Sequence, residues 1–138
     1  MKNIIKYVCI AMIVISGWEL ISDISTIVRV GFVDHYVFTL PFINHIAMLT
    51  VGVLGLKFRD EDEKQKMLAG ISGLQLILCL LAIFVGRYSI WIAIKTLGIG
   101  QWLSIIFSIF LLVYYIQGMI RVKKKRHQDE SVTNSALN

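Results

Sequence analysis

The chain has 138 residues, of which 57% are hydrophobic and only 17% are charged. Soluble domains carry about 25% charged residues, and the mean hydropathy of +0.72 is too high for such a domain. The formal net charge is +5. Most basic residues stand beside apolar segments, where anionic lipid headgroups are nearer partners than nucleic acid. The composition therefore predicts one membrane domain, with the lipid bilayer as a partner and no nucleic acid.

The first predicted helix runs from about residue 4 to about residue 24 and carries carboxylates beside its apolar segment. It begins with MKNIIK and continues with YVCIAMIVISGW, which together have the basic and apolar parts of a secretory signal. No small-x-small cleavage site follows, and Glu19 and Asp23 come next, so we interpret the segment as a retained helix. The mixed segment 23–36 either extends this helix or forms a short interfacial loop.

Three further apolar segments predict helices over residues 36–56, 67–85 and 101–120, each long enough to cross a hydrocarbon core of roughly 30 Å. A neutral loop, KFRDEDEKQK, separates the second helix from the third, and an interfacial stretch, GRYSIWIAIKTLGIG, precedes the fourth. Residues 121–138 are basic and then polar, which predicts a disordered cytoplasmic tail. The predicted fold is all-α, an integral membrane antiparallel four-helix bundle with short loops.

The distribution of Lys and Arg predicts the orientation of the bundle. Eleven of these residues lie at the N-terminus, in the loop between the second and third helices, or in the C-terminal tail. Only Arg29, Arg87 and Lys95 lie on the other side. The positive-inside rule then predicts a multi-pass protein of a bacterial-type plasma membrane with both termini in the cytoplasm, and the aromatic residues near the predicted boundaries agree.

The small and polar residues of each predicted helix recur at spacings of three and four, which places them on one face. Lipid already satisfies large apolar side chains, so membrane helices associate through small and polar residues. The four rows should therefore face one another, with Asn44 and Thr50 outside the row of the second helix. The rows are Cys9, Met12, Ser16, Glu19, Asp23 and Thr26; Pro41, His45, Met48, Gly52 and Gly55; Ser72, Gln75, Cys79, Ala82 and Gly86; and Gln101, Ser104, Ser108, Leu111, Tyr115 and Gly118.

A candidate intramembrane polar site consists of Glu19, Asp23, His45 and Gln75. Glu19 is the leading member, because an ionisable group at membrane depth is costly and marks a proton, ion or substrate site. Glu19 and His45 each lie about 18 Å from the inner boundary by helical rise, so a buried Glu19–His45 pair able to carry protons is one interpretation. In the other interpretation Trp18 anchors the outer boundary, and Glu19 faces water at headgroup level.

No pattern typical of catalysis is present. The chain has no GxSxG motif, nucleophile–base pairing or glycine-rich phosphate loop, so we expect neither enzyme activity nor a cofactor. The two cysteines lie in apolar runs without a CxxC motif and are interpreted as core residues. A metal site is not expected either, because its candidate ligands lack HxxxH or ExxH spacing. Those candidates are Glu19, Asp23, His35 and His45.

A basic cluster follows the fourth predicted helix and consists of Arg121, Lys123, Lys124, Lys125 and Arg126. Such residues attract anionic headgroups by about 1 kcal/mol each near a membrane surface. The sequence therefore predicts contact of this cluster with lipid headgroups, although a signal that stops and orients the helix also accounts for it.

Two hypotheses about function follow from these patterns. The first is a non-catalytic accessory, partner-binding, immunity or regulatory role, in contact with another membrane protein or a second copy. The second is a proton-coupled transporter of a small solute, acting through Glu19 as an oligomer because four helices enclose little space. The layout resembles that of small multidrug-resistance transporters in its four helices and its carboxylate in the first. This resemblance implies transport and covers those two features alone.

Overall fold

A computed structural model describes residues 2–30, 35–84 and 98–136. Within these ranges the chain is helical almost throughout and contains no strand, so the predicted all-α class is confirmed. The long helices are α1 (Lys2–Val30), α2 (His35–Phe58), α3 (Gln65–Phe84) and α4 (Ile99–Ala136). A 3₁₀ turn, Asp62–Lys64, joins α2 to α3. All four helices are long and apolar enough to cross a membrane.

The helices pack in a closed ring, with α1 against α2, α2 against α3, α3 against α4, and α4 against α1. Cys9 meets Gly52 towards one end of the α1–α2 contact, and Asp23 meets His45 towards the other, so these helices run antiparallel. The contacts between α3 and α4 follow the same pattern: Gln65 with Gly118, Gly73 with Leu112, and Cys79 with Ser104.

Close approach of α1 and α2 depends on a glycine of the predicted row. A Cβ atom added to Gly52 would lie 2.8 Å from Cγ1 of Ile13 and 3.1 Å from the backbone oxygen of Cys9. Because one of these neighbours is backbone, a side chain at this position would push the two helices apart. Small residues at a helix interface are what membrane helices use to approach one another.

The predicted rows lie towards the interior wherever the structure describes them. Every described member of the rows is either fully or partly buried, and Gly86 lies outside the described residues. Of the two polar residues that lie off the row of the second helix, Asn44 is also buried, whereas Thr50 is exposed. The fully buried members are Cys9, Met12, Ser16, Met48, Gly52, Gly55, Ser72, Gln75, Cys79, Ser104, Ser108, Leu111 and Tyr115.

The helix boundaries follow the prediction most closely in the middle of the chain. Both α2 and α3 begin and end within about two residues of the predicted limits, apart from Val85, which lies outside the described residues. Helix α1 extends through Val30, so the segment after residue 23 continues the helix at least that far. Most of the predicted interfacial stretch 86–100 lies outside the described residues, and Arg87 and Lys95 lie there with it.

The predicted disordered tail is instead helical as far as Ala136. Extending an existing helix avoids the cost of nucleation, and the lysine, arginine, glutamine and glutamate residues that follow position 120 are good helix formers. His127 and Glu130, one turn apart, approach to 3.7 Å between Nδ1 and Oε2, and Lys125 Nζ lies 3.9 Å from Asp62 Oδ2 at the 3₁₀ turn. The low apolar content of this segment therefore did not prevent helix formation.

Candidate functional site

A small cavity of about 30 Å³ with a mixed polar and apolar lining lies among the four helices. It is formed by the later part of α1, the first half of α2, the end of α3 and the first two turns of α4. A volume of this size holds one or two water molecules. The side chains around it with polar or sulfur atoms are Glu19, Asn44, His45, Met48, Cys79, Gln101 and Ser104.

Asp23 and His45 form a close polar contact at this end of the bundle. Nδ1 of His45 donates a hydrogen bond to Oδ2 of Asp23 at 2.7 Å. The side chains are only 15% and 23% exposed, respectively. A hydrogen bond to a carboxylate is stronger than one between neutral groups. With Nδ1 as the donor, Nε2 of the neutral ring is a hydrogen-bond acceptor.

Glu19 lies against the beginning of α4. Its Oε1 atom is 3.0 Å from the position that a Cβ atom on Gly100 would occupy. The carbonyl of Gly98 accepts hydrogen bonds from the N–H groups of Gln101 and Trp102, so the first turn of α4 begins beside this carboxylate. The dipole at a helix N-terminus favours a nearby negative charge. The start of α4 is therefore a favourable neighbour for the carboxylate of Glu19.

The structure joins His45 to Asp23 rather than to Glu19, although Glu19 and His45 line the same cavity. Asp23 lies one turn beyond Glu19 on the same face of α1, a distance of about 6 Å along the helix. Counting residues from the basic ends of the helices estimates depth only to about one turn, so it did not separate these two carboxylates. Trp18 is 73% exposed and points away from the bundle, while the neighbouring Glu19 is partly buried.

A buried amide pair connects α2 with α3 next to the cavity. Nε2 of Gln75 donates a hydrogen bond to Oδ1 of Asn44 at 3.4 Å, and both side chains are buried. Within the described residues, Oε1 of Gln75 has no hydrogen-bond partner. The sequence pattern missed Asn44 because it lies one position before His45. That offset is only about 100° around a helix, so two adjacent polar residues can both reach the interior.

Several hydroxyl and sulfur groups of the core are engaged within the bundle, whereas Oγ of Ser72 and the hydroxyl of Tyr115 have no hydrogen-bond partner among the described residues. Ser104 donates to Sδ of Met48 at 3.1 Å, and Sγ of Cys79 lies 3.8 Å from Oγ of Ser104. Ser16 and Ser108 each donate to a backbone carbonyl one turn earlier in their own helix, at 2.6 Å. The contacts of Ser104 therefore link α4 to α2 and α3, while those of Ser16 and Ser108 stay within one helix.

The four predicted site residues thus lie in one region, around the cavity. Glu19 and His45 line the cavity directly, Asp23 joins it through His45, and Gln75 joins it through Asn44. Across residues 2–30, 35–84 and 98–136, no three histidine, cysteine, aspartate or glutamate side chains are grouped to hold a metal ion. The side chain of His35, considered as a ligand above, lies outside the described part.

Comparison with protein-family models, curated proteins and solved structures finds no match. The site is therefore interpreted from its own chemistry: a carboxylate at a helix N-terminus, a carboxylate–imidazole hydrogen bond, and a buried amide pair around a cavity of water size.

The basic cluster lies on the part of α4 that extends beyond its apolar segment. All five side chains, from Arg121 to Arg126, are exposed. The 3₁₀ turn with its carboxylates lies beside them, as the contact between Lys125 and Asp62 shows. The contact of this cluster with lipid headgroups stays a prediction.

Proposed function

We propose that the chain is an integral membrane protein whose four helices cross a bilayer as an antiparallel bundle, with both termini in the cytoplasm. The length and apolar character of the four helices support this. The exposed large apolar side chains on all four helices support it further, since these would face lipid. Eleven of the fourteen Lys and Arg residues belong to the segments that this threading assigns to the cytoplasm.

Within the membrane we propose a non-catalytic role, in which the protein acts by binding a partner membrane protein. The observation that carries this proposal is the size of the interior. Cavities that bind small molecules typically measure about 300–1,000 Å³, whereas the cavity beside Glu19 measures about 30 Å³. A solute larger than water or a single ion does not fit this cavity, which favours a role for the outer surface.

The outer face of α1 offers the features that a helical partner would use. Trp18, Ser22, Ser25 and Arg29 are exposed there and line a surface groove of about 330 Å³. Small polar side chains on a membrane helix favour association with another helix. Tryptophan and arginine are the side chains that most often dominate the free energy of binding.

Affinity purification in mild detergent tests the partner role. We expect the wild-type chain to retain one membrane protein in a fixed stoichiometry, and the Trp18→Ala variant to retain about tenfold less, as for removal of a binding hot spot. The control is Ile77→Ala on α3, an exposed apolar side chain on a different helix, which should retain the partner fully. A lone monomer under all conditions, or equal retention by Trp18→Ala and the control, contradicts the proposal.

Proton-coupled transport by an oligomer is the second candidate. The observation that favours it is the grouping of Glu19 with the Asp23–His45 pair, which brings three ionisable side chains to one end of the bundle. Because the cavity is small, the solute would pass between protomers. Ionisable groups at membrane depth are the usual carriers of protons in transporters.

Proteoliposomes test the transport candidate. We expect Glu19→Gln to abolish uptake of protons driven by an outward gradient of small organic cations, measured with an enclosed pH-sensitive dye, while the protein stays folded and inserted. The control is Glu61→Gln, which removes an exposed carboxylate at the opposite end of the bundle. Unchanged flux in Glu19→Gln contradicts this candidate.

A further inference from the structure

A larger, open groove lies at the opposite end of the bundle, between the start of α3 and the basic part of α4. Its volume is about 440 Å³. The carboxylates of Asp62 and Glu63 line it together with the cationic side chains of Lys66, Lys123 and Arg126. Lys124, which lies between two of these positions in the sequence, is not part of the lining. Of the five cations in the basic cluster, only Lys123 and Arg126 therefore line this groove.

The charged side chains of this groove suit a ligand that carries one positive and one negative group. Three cations match a phosphate group, which Arg and Lys bind through charge-assisted hydrogen bonds. Two carboxylates match an ammonium group with N–H donors. Asp62 also lies 3.9 Å from Lys125, but both side chains are more than half exposed, and such surface ion pairs contribute little. A ligand ammonium can therefore share this carboxylate.

The groove also lies where a lipid headgroup would meet its acyl chains. Met119 and Val122 contribute apolar surface to it, at the point where the apolar part of α4 gives way to the basic cluster. On α3, exposed residues continue away from Lys66 at helical spacing through Gly70, Leu74, Ile77 and Leu81.

This strip on α3 has the dimensions of one leaflet. From Gly70 to Leu81 it covers about 16 Å, close to half of a hydrocarbon core of roughly 30 Å. A Cβ atom added to Gly70 would meet no atom within 4 Å, so the strip has open space immediately below the charged groove. An acyl chain can lie along this face of the helix.

We propose that the groove binds one phospholipid with an ethanolamine headgroup. The phosphate lies against Lys66, Lys123 and Arg126, the ammonium donates to Asp62 and Glu63, and an acyl chain follows the exposed strip of α3. This site rests on the proposed insertion in a membrane. It goes beyond the contact of the basic cluster with a charged surface, because its carboxylates discriminate between headgroups.

Native mass spectrometry of the full chain in mild detergent tests the site, with phosphatidylethanolamine, phosphatidylcholine and phosphatidylglycerol added at equal concentration. We expect the ethanolamine lipid to be retained about fivefold more than the others, the ratio given by one favourable charge contact. Choline has no N–H donor for the carboxylates, and phosphatidylglycerol has no amine. Equal retention of the three lipids, or preference for phosphatidylglycerol, overturns the proposal.

Two adjacent lysines provide matched variants. Lys123→Gln should lower retention of the ethanolamine lipid about fivefold relative to Lys124→Gln, which removes the same charge from the basic cluster but outside the groove. Glu63→Gln should remove the preference for ethanolamine over choline while phosphate binding persists. Equal effects of the two lysine variants contradict the site. Binding of free phosphoethanolamine as tightly as the lipid also contradicts it, because the acyl chain would then contribute nothing.

Extraction of the expressed variants from membranes with alkaline carbonate separates this proposal from the proposed function. A chain released by carbonate is not inserted, and that result defeats the membrane assignment itself. A chain that resists extraction but shows no headgroup preference defeats only the lipid site.

Discussion

The Gly55→Ala variant should unfold more easily than the wild-type chain, by about 1–3 kcal/mol in the free energy of unfolding, the usual cost of overpacking a core. A Cβ atom at this position would lie 2.6 Å from the hydroxyl oxygen of Tyr115 and 2.7 Å from Sγ of Cys9. Both neighbours are completely buried. The tyrosine hydroxyl is carried on a rigid ring and the cysteine sulfur on a short side chain, so neither can move aside without displacing a helix.

Unfolding of the purified protein in mixed detergent micelles, followed by far-ultraviolet circular dichroism, measures this effect. The matched control is Gly17→Ala, because no atom lies within 4 Å of a Cβ added there. Alanine exceeds glycine in helix propensity by about 1 kcal/mol, so the control should be unchanged or slightly more stable. Equal stability of the Gly55→Ala and Gly17→Ala variants would show that the interior is not packed as described.

A second substitution should relieve part of the strain. Tyr115→Phe removes the hydroxyl oxygen that lies closest to the new methyl group, while the ring carbon Cζ is 3.9 Å away. The double variant Gly55→Ala/Tyr115→Phe should therefore be more stable than the sum of the two single effects predicts, as is typical of residues in contact. Recovery should be incomplete because Sγ of Cys9 still meets the methyl group.

The interior face of each helix could be predicted from the sequence on the expectation of a lipid environment, in which hydrophobicity does not distinguish the outer face from the inner one. Large apolar residues are equally satisfied by lipid and protein, so small and polar residues identify the helix contacts. Gly52 and Gly55 on α2 follow this rule, as do Ser104 and Ser108 on α4. A row spaced by three and four is narrow, however. The row excluded Asn44, which lies one position before His45 and accepts a hydrogen bond from Gln75 of α3.

The arrangement of the site depended on details that a single sequence does not contain. The hydrogen bond from His45 to Asp23 rather than to Glu19 depends on the register of α1 against α2 to within one turn. The contact of Glu19 with Gly100 depends on where α4 begins, and α4 starts two residues before its predicted limit. The helical tail likewise reflects continuation from a packed helix, which composition alone does not predict.

Separating Asp23 from His45 should cost about 1.5–3 kcal/mol in the free energy of unfolding, the range for hydrogen bonds to charged groups. The two side chains are mostly buried, so Asp23→Ala leaves the imidazole without its acceptor, and His45→Ala leaves the carboxylate without its donor. The control is Thr26→Ala on the same face of α1, whose exposed hydroxyl only donates to the carbonyl of Ser22 in its own helix. Removing that hydroxyl should change stability much less.

A double-mutant cycle identifies the partner of His45. If Asp23 is the partner, the double variant Asp23→Ala/His45→Ala should cost clearly less than the sum of the two single variants, because each single change already removes the hydrogen bond. The parallel cycle with Glu19→Ala and His45→Ala should be close to additive, since Glu19 lies against Gly100 instead. Coupling in the Glu19 cycle and additivity in the Asp23 cycle would reverse the assignment and place the imidazole on the carboxylate at the start of α4.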